Sequence, residues 1–300
     1  MTDIKRFLDA NQIAYVTDEP MKAHTTFKIG GPADLLVTVN SADELQKVLT
    51  ACREKHVPFM ILGKGSNLLI SDKGIEGAVI ALSGEFKELS VDGEIITSGA
   101  GVSLSKLCTV AADRGLSGLE FAYGIPGTVG GAVYMNAGAY GGETKDVVVE
   151  VTYMTPDGDI GTYSAAELNF GYRHSIFKEN NNIILISKYK LAKDDKSAIL
   201  ARMDDFMNRR RTKQPLEYPS AGSVFKRPVG AFAGTLIEQC GLKGKRLGGA
   251  QVSEKHAGFI INAADATCED VLHLVRLVQD TVRRETGYDL ECEIIRTGRS

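Results

Sequence analysis

Between Gly124 and Gly142 the chain reads GIPGTVGGAVYMNAGAYGG, seven glycines in nineteen residues. Glycine costs about 1 kcal/mol inside a helix or strand, because its unfolded backbone has more freedom to lose. What it permits is positive φ and close approach of backbone N–H groups to something flat or anionic. The stretch reads as the seat of a phosphate-bearing ligand, with two tight turns packed on a sheet as the plain alternative. Gly63-Lys-Gly-Ser-Asn67 offers the same choice on a smaller scale: donors for a diphosphate, or a turn that ends a strand. No G-x-x-x-x-G-K-[ST] occurs, and Gly63-Lys-Gly65 and Gly99-Ala-Gly101 carry leucine where G-x-G-x-x-G needs its third glycine. A nucleotide cofactor would therefore sit outside the Rossmann and P-loop frames.

Other segments carry charged or reactive groups, each with two readings. Arg173, in GYRHSIF (171–177), is a natural fork for a carboxylate, or else a surface arginine. Arg209-Arg-Arg-Thr-Lys213 either binds a polyanion or forms the solvated end of a helix whose dipole it complements. Ser223 follows a glycine in PSAGSVFK (219–226), where a turn can expose its hydroxyl. No Ser-His-Asp order or G-x-S-x-G elbow makes it a hydrolase nucleophile, and a plain turn serine is the alternative. In LECEI (290–294) a strand would put Glu291 and Glu293 on one face, most simply the solvent face.

The composition bounds these readings. Three hundred residues at 43% hydrophobic and 24% charged predict a globular protein of about two domains. A net charge of −3 argues against a dedicated nucleic-acid binder. No apolar run approaches a membrane span, and MTDIKRFLDANQ reads as an amphipathic helix rather than a signal peptide. The five cysteines are scattered without C-x-x-C pairs, which fits reduced thiols in the cytoplasm; the histidines show no ligand spacing, so no metal site is expected.

The elements that must position these groups can be traced by periodicity. Leu35–Val39 and Pro58–Leu62 read as strands, joined by a helix that Ser41 and Glu44 cap as a box and whose buried face carries Leu45, Val48, Leu49 and Cys52. That connection implies a parallel pair with the Gly63 loop at the carboxyl end of its strand. A helix over 103–114 closed by Gly115, a hairpin from Val147 through Thr-Pro-Asp-Gly158, and a strand over 182–191 follow. A helix over 194–210 marks a domain boundary near its start. Beyond it come a helix over 231–240, a strand over 258–261, a helix capped by Thr267 and ended by Gly287, and a final strand over 290–296. The mixture without strict alternation predicts α+β.

Taken in order, TTFKIGGPADLL, LGKGSNLLI, GIPGTVGGAVYMNAGAYG, GYRHSIFK, SAGSVFK, GGAQVSEKHAGFIIN and LECEI resemble the UDP-N-acetylenolpyruvoylglucosamine reductase (MurB) family of peptidoglycan synthesis, across residues 25–298. The resemblance implies an α+β chain. A two-lobed FAD-binding fold of the vanillyl-alcohol-oxidase (PCMH) type would occupy 1–193, with lobes of about 1–80 and 81–193. A smaller α+β substrate domain would follow over 194–300, its final strand packing back near the flavin.

The resemblance also implies a cytoplasmic oxidoreductase, serving cell-wall biogenesis, cell shape and division. FAD would be held non-covalently and NADPH would donate hydride; the reduced flavin would pass hydride to the enolpyruvyl ether of a UDP-sugar, with no nucleic-acid or membrane partner. Gly63, Lys64, Gly65, Ser66, Asn67, Ile125, Pro126, Gly127, Thr128, Val129, Gly130, Gly131, Asn136, Ala137 and Gly138 would bind FAD. Arg173 and Glu293 would stabilise charge at the substrate carboxylate, Ser223 would donate the proton, and Tyr172 and Lys213 would bind substrate, Lys213 at the diphosphate. No lid-sized insertion lies between Tyr172 and Leu191, which matches the shorter (type II) subgroup. Cys292 stands where the family has proline and Arg227 where longer members have asparagine, so neither is carried over; Gln251 and His256 lie in a matching segment without an assigned role. The readings to be separated from this one are an FAD oxidase of a small alcohol or sugar, and a non-catalytic nucleotide-binding module.

Overall fold

The structure, a computed structural model, describes residues Met1–Ser300. Two compact units share the chain: Met1–Thr17, Leu35–Lys64 and Gly77–Arg209 form the first, and Asp18–Asp34, Gly65–Glu76 and Arg210–Ser300 the second. The division therefore falls after Arg209, inside the helix Lys196–Lys213, rather than at 193/194, and two earlier segments join the C-terminal part.

Two sheets build the first unit. A four-stranded sheet runs in the order Ala14–Pro20, Pro32–Val39, Ile75–Leu82, Phe59–Leu62. The strand Phe59–Leu62 is parallel to Ile75–Leu82, with Leu62 opposite Ala81. The two strands expected to pair directly thus lie in one sheet with Ile75–Leu82 between them. The intervening helix Ala42–Glu54 buries Leu45, Val48, Leu49 and Cys52 as its period demands. Ser41 Oγ accepts the Glu44 N–H at 3.2 Å, but Glu44 returns its carboxylate to the N–H of Asn40 at 2.7 Å, one residue before the expected box partner.

An antiparallel five-stranded sheet follows in the order Ile160–Ser164, Val148–Met154, Ile183–Lys190, Ile95–Gly99, Leu89–Asp92. The helix Leu104–Asp113 is capped by Ser103 and released by Gly115 at φ +64°. Inside the glycine run a short helix forms over Val129–Tyr134, where no regular element was expected. Thr128 caps it, and Val129, Ala132 and Val133 are buried in the unit's core. Capping and burial together outweigh the glycine penalty.

In the second unit a four-stranded sheet runs in the order Ser220–Ser223, Phe259–Asn262, Ala250–Val252, Arg246–Leu247, each neighbour antiparallel. The helix Cys268–Thr286 buries Val271, Leu274, Val275, Val278 and Val282 in the same core. Its cap is the expected Thr267 with Asp270, and Gly287 ends it at φ +77°. The C-terminal strand is shorter than expected. Only Ile295–Thr297 is regular, paired in parallel with Leu68–Ile70, while Cys292 makes an isolated bridge to Phe225.

The helix that ends at Lys213 is stapled in the first unit by Arg202, which reaches Glu120 at 2.7 Å and Asp194 at 2.5 Å. Burial alone would raise the Glu120 pKa; hydrogen bonds from Arg202, backbone N–H groups and Ser117 outweigh it and hold the carboxyl below its usual range. Breaking one side of a buried pair costs about 3–5 kcal/mol. Arg202 is 40% exposed, and solvent screening brings the expected cost of Arg202→Ala to about 2 kcal/mol at pH 7. In the variant the backbone N–H groups and Ser117 remain, but loss of the Arg202 bonds lets burial raise the Glu120 pKa above its wild-type position. Its stability deficit against wild type should therefore shrink as pH falls towards 4.5, measured by urea unfolding; a deficit independent of pH would remove Glu120 from the staple.

Candidate active site

The loop after the strand Phe59–Leu62 leaves four consecutive donors unused: the N–H groups of Gly63, Lys64, Gly65 and Ser66 make no hydrogen bond within the protein. Gly65 is itself buried, at φ +57°, and a Cβ there would strike Thr25 Cα at 2.9 Å. Of the four only Gly65 is buried, where an unpaired donor is costly; Gly63 and Lys64 face solvent. A diphosphate satisfies several at once, so these residues fit the phosphate-bearing centre of a dinucleotide cofactor such as FAD.

The glycine segment does something different. Its donors are already engaged: Ile125 N–H to Ala122, Gly127 to Ile125, Val129 to Val102, Gly130 to Ala100, and Gly131 to Thr128 Oγ1 at 3.3 Å. The expected row of N–H groups aimed at a ligand is therefore absent at these five residues. Its glycines serve close packing between chain segments. A Cβ on Gly63 would meet Thr128 Oγ1 at 2.7 Å, and one on Gly130 would meet Ala100 Cβ at 3.0 Å. What 125–131 can offer a cofactor is a smooth wall.

Asn136 also departs from its expected role as a cofactor ligand. Its side chain is fully buried, at φ +42°, and holds three partners: Nδ2 donates to Glu143 Oε2 at 3.1 Å and to the Gly171 carbonyl at 2.9 Å, and Oδ1 accepts the Lys145 N–H at 3.0 Å. That side chain supports the loop from behind. Ala137 and Gly138 remain half-buried beside it.

Gly171 begins the turn that carries Arg173. Gly171 and His174 exchange both backbone bonds, at 3.1 and 3.2 Å, leaving Tyr172 and Arg173 at the tip. Arg173 has φ +54°, where type II turns normally carry glycine or asparagine. For a side chain of this size the conformation costs about 1–2 kcal/mol, and such strain concentrates at functional positions. The guanidinium donates to the Gly138 carbonyl at 3.4 Å and lies over the Tyr172 ring at 5.1 Å; Tyr172 is exposed. Glu143, which the sequence reading missed, is the nearby counter-charge. Burial works to raise its pKa, but hydrogen bonds from Lys145 and Asn136 and the charges of Lys145 and Arg173 hold it low, so it stays ionised. Its one signal was being the first carboxylate after the glycine run.

In the second unit Ser223 ends its strand opposite Phe259, after Gly222 at φ +77°. Three residue steps on this strand oppose two on its neighbour, an irregularity that re-aims the serine. Its Oγ donates only a long bond, 3.4 Å, to the Phe225 carbonyl. The next residues pair with the C-terminal segment: Glu293 N–H donates to Val224 at 2.7 Å and Lys226 N–H to Glu291 at 2.8 Å. The backbone thus brings Ser223 and Glu293 onto adjacent segments. The two glutamates are not equivalent, contrary to the one-face expectation: Glu291 is exposed and paired with Lys226, whereas Glu293 is half-buried and its carbonyl accepts from Asn67 Nδ2 at 3.3 Å. Lys213 is the exposed last residue of its helix.

Beside Ser223 lies His256. Space for a Cβ on Gly258 is bordered by His256 Cε1 at 3.0 Å and Ser223 Oγ at 3.4 Å. Nδ1 of His256 accepts the Gly258 N–H at 3.1 Å, which assigns the proton to Nε2 in the neutral ring. Burial, with the charge on Lys243, depresses its pKa against opposing contributions from its own backbone and Glu238. Because the unfolded chain takes up this proton first, the contribution to stability is lost as pH falls below about 6.5. His256→Gln keeps an acceptor but no titration. Its stability relative to wild type should improve between pH 7 and 5.5 in urea unfolding; an unchanged difference would show that the ring is not held neutral.

The comparisons with known proteins fall on both parts. Residues 33–164 match the family described as FAD binding domain, and residues 214–297 match the C-terminal domain of UDP-N-acetylenolpyruvoylglucosamine reductase. The chain is 51% identical over 277 residues to the UDP-N-acetylenolpyruvoylglucosamine reductase of Syntrophomonas wolfei, covering 92% of this chain and 93% of that one. It is 50% identical over 277 residues to the enzyme of the same name from Caldanaerobacter subterraneus, covering 92% and 91%. Among solved structures, MurB of Thermus caldophilus superposes with a TM-score of 0.82 at 41% identity, over 95% of this chain and 98% of that one.

Proposed function

The chain belongs to the UDP-N-acetylenolpyruvoylglucosamine reductase family, and from that premise we propose that it reduces the enolpyruvyl ether of UDP-N-acetylglucosamine to UDP-N-acetylmuramate, using NADPH. It is an FAD-containing oxidoreductase of peptidoglycan precursor synthesis. No helix is long and apolar enough to cross a membrane; the nucleotide-sugar substrate and NADPH place the reaction in the cytoplasm. We assign cofactor binding mainly to the part of the chain before Arg209 and substrate binding mainly to the part after it, with Tyr172 and Arg173 as substrate residues of the earlier part.

The observation that carries this reading is the backbone pairing that sets Ser223 beside the segment of Glu293, both in positions that match the family's motifs. When bound, FAD supplies the hydride, accepted from NADPH and delivered to the terminal carbon of the enolpyruvyl group. The free N–H groups of the Gly63 loop would hold its diphosphate, with Asn67 in the same loop, and Ile125–Gly131 and Ala137–Gly138 would line the cofactor. Lys213 attracts the substrate diphosphate as a point charge. Tyr172, exposed at the tip of its turn, offers an aromatic face to the substrate.

Addition of hydride leaves negative charge on the carbon next to the carboxylate. Arg173 stabilises it through the carboxylate, and Glu293 orders the same group through a bridging hydrogen-bond donor. A preorganised donor such as Arg173 contributes ~3–4 kcal/mol. Ser223 gives its hydroxyl proton to the carbanionic carbon, which completes reduction of the double bond. Its only internal bond is long, so little is lost when the hydroxyl turns to substrate.

Purified protein should be yellow and bleach on addition of NADPH. Ser223→Ala should leave that bleaching intact and slow reoxidation by the enol ether by roughly 10²–10³-fold. Arg173→Ala should slow the same half-reaction by a similar factor. Stopped-flow absorbance separates the two halves: equal slowing of both would withdraw the proton-donor assignment, and unchanged reoxidation in Arg173→Ala would withdraw the anion-stabilising one.

A further inference from the structure

The turn bearing Arg173 does not hold its shape alone. Tyr172 and Arg173 are spanned by one reciprocal pair of backbone bonds, and Arg173 occupies the left-handed region without being glycine or asparagine. Besides the guanidinium's own long bond to the Gly138 carbonyl, two contacts from elsewhere in the first unit fix the turn's backbone. Lys178 Nζ donates to the Arg173 carbonyl at 3.2 Å, and Asn136 Nδ2 donates to the carbonyl of Gly171, the turn's first residue.

The second Asn136 proton goes to Glu143, the carboxylate whose charge acts on Arg173. Glu143 is itself tied down: its carboxylate meets Lys145 Nζ at 2.7 Å and its N–H donates to Asp146 at 2.7 Å. One buried amide therefore fixes both the foundation of the arginine's turn and the position of its counter-charge. No other side-chain type does this without loss. Aspartate has no protons to give at neutral pH, leucine has no polar atoms, and glutamine is longer and less tolerant of positive φ.

We propose that Asn136 is a positioning residue for Arg173: it fixes, through the Gly171 carbonyl and the Glu143 carboxylate, where the guanidinium stands. The proposal rests on Arg173 acting at the substrate carboxylate. A stabilising group displaced by about 1 Å can lose about 10²-fold in rate, so Asn136 contributes to turnover without meeting the substrate.

Two variants of the FAD-loaded protein test this. Asn136→Gly keeps the positive φ and removes the side chain. Asn136→Asp keeps the shape, but sets a carboxylate against the Glu143 carboxylate and the Gly171 carbonyl. Burial and the Glu143 charge raise the pKa of that aspartate, opposed by Lys145 and Arg173, with Asp146 adding to the rise. Once protonated it can donate one of the two lost bonds; recovery is present below its pKa and lost as pH rises through it.

In both variants at pH 8, flavin reduction by NADPH should match wild type. Reoxidation by the enol ether should slow about 10²-fold, with amide exchange over residues 171–175 accelerated in hydrogen-exchange mass spectrometry. In Asn136→Asp alone, reoxidation should recover relative to wild type as pH falls to 5.5. Normal exchange over 171–175, equal slowing of both half-reactions, or no acid recovery in Asn136→Asp would each overturn the proposal. Normal reoxidation in Asn136→Gly beside slow reoxidation in Arg173→Ala would overturn the positioning role alone. Normal reoxidation in Arg173→Ala itself would remove the underlying role of the arginine, and the proposal with it.

Discussion

The second unit depends on one set of backbone bonds that joins the far end of the chain to two earlier stretches. Ile295 N–H donates to Asn67 at 2.8 Å and Ser71 N–H to Thr297 at 2.9 Å, while Glu293 and Lys226 close the other side against 224–226 and 291–293. The segment 291–297 is thus stitched on one side to the strand that follows the Gly63 loop and on the other to the strand end that carries Ser223. Loop-closure entropy rises only as the logarithm of length, each doubling adding about 0.6 kcal/mol. Spanning more than two hundred residues is therefore affordable in equilibrium, though slow to form. Pulling this segment away would release Glu293, unseat Asn67 and leave the strand Leu68–Ile70 without its recorded partner.

Glycine does three separate jobs in the candidate site, and sequence composition cannot tell them apart. At Gly65 it provides a left-handed backbone and leaves an N–H unspent in a buried place. At Gly63 and Gly130 it removes a Cβ that would collide with Thr128 or Ala100. At Gly171 it starts a turn whose carbonyl is claimed by Asn136. A donor argument applies to the first case and a packing argument to the second. The reading of 125–131 as a row of donors fails because helical capping by Thr128 and the bonds to Ala100 and Val102 use those groups first.

Local signals were legible wherever a few neighbouring residues decide the outcome. The caps at Ser41 and Thr267, the stops at Gly115 and Gly287 and the buried face of Ala42–Glu54 all follow from side chains within four residues. What was not legible came from long-range pairing. The strand Ile75–Leu82 inserts between two strands that local connectivity would pair, and Asp18–Asp34 joins the C-terminal unit. Glu291 and Glu293 alternate in sequence, yet an isolated bridge followed by a break gives them different surroundings. Motif resemblance singled out Arg173, Ser223 and Glu293, and Asn136 as a cofactor ligand; the bonds that tie Asn136 to Glu143 and to Gly171, across seven and thirty-five residues, were not legible.

A serine as proton donor needs a physical reason, since its hydroxyl is a far weaker acid than an imidazolium or a carboxylic acid. The more positive charge is brought to the substrate carboxylate, the less basic the adjacent carbon becomes and the less readily it takes a serine proton. Ionised Glu143, paired with Lys145, stands near Arg173 as its counter-charge. The stronger acid within reach of Ser223 is kept out of use: His256 is neutral, its Nδ1 is occupied by the Gly258 N–H, and burial opposes its protonation. In the proposed reaction Ser223 therefore has no ready imidazolium beside it to compete for the carbanionic carbon.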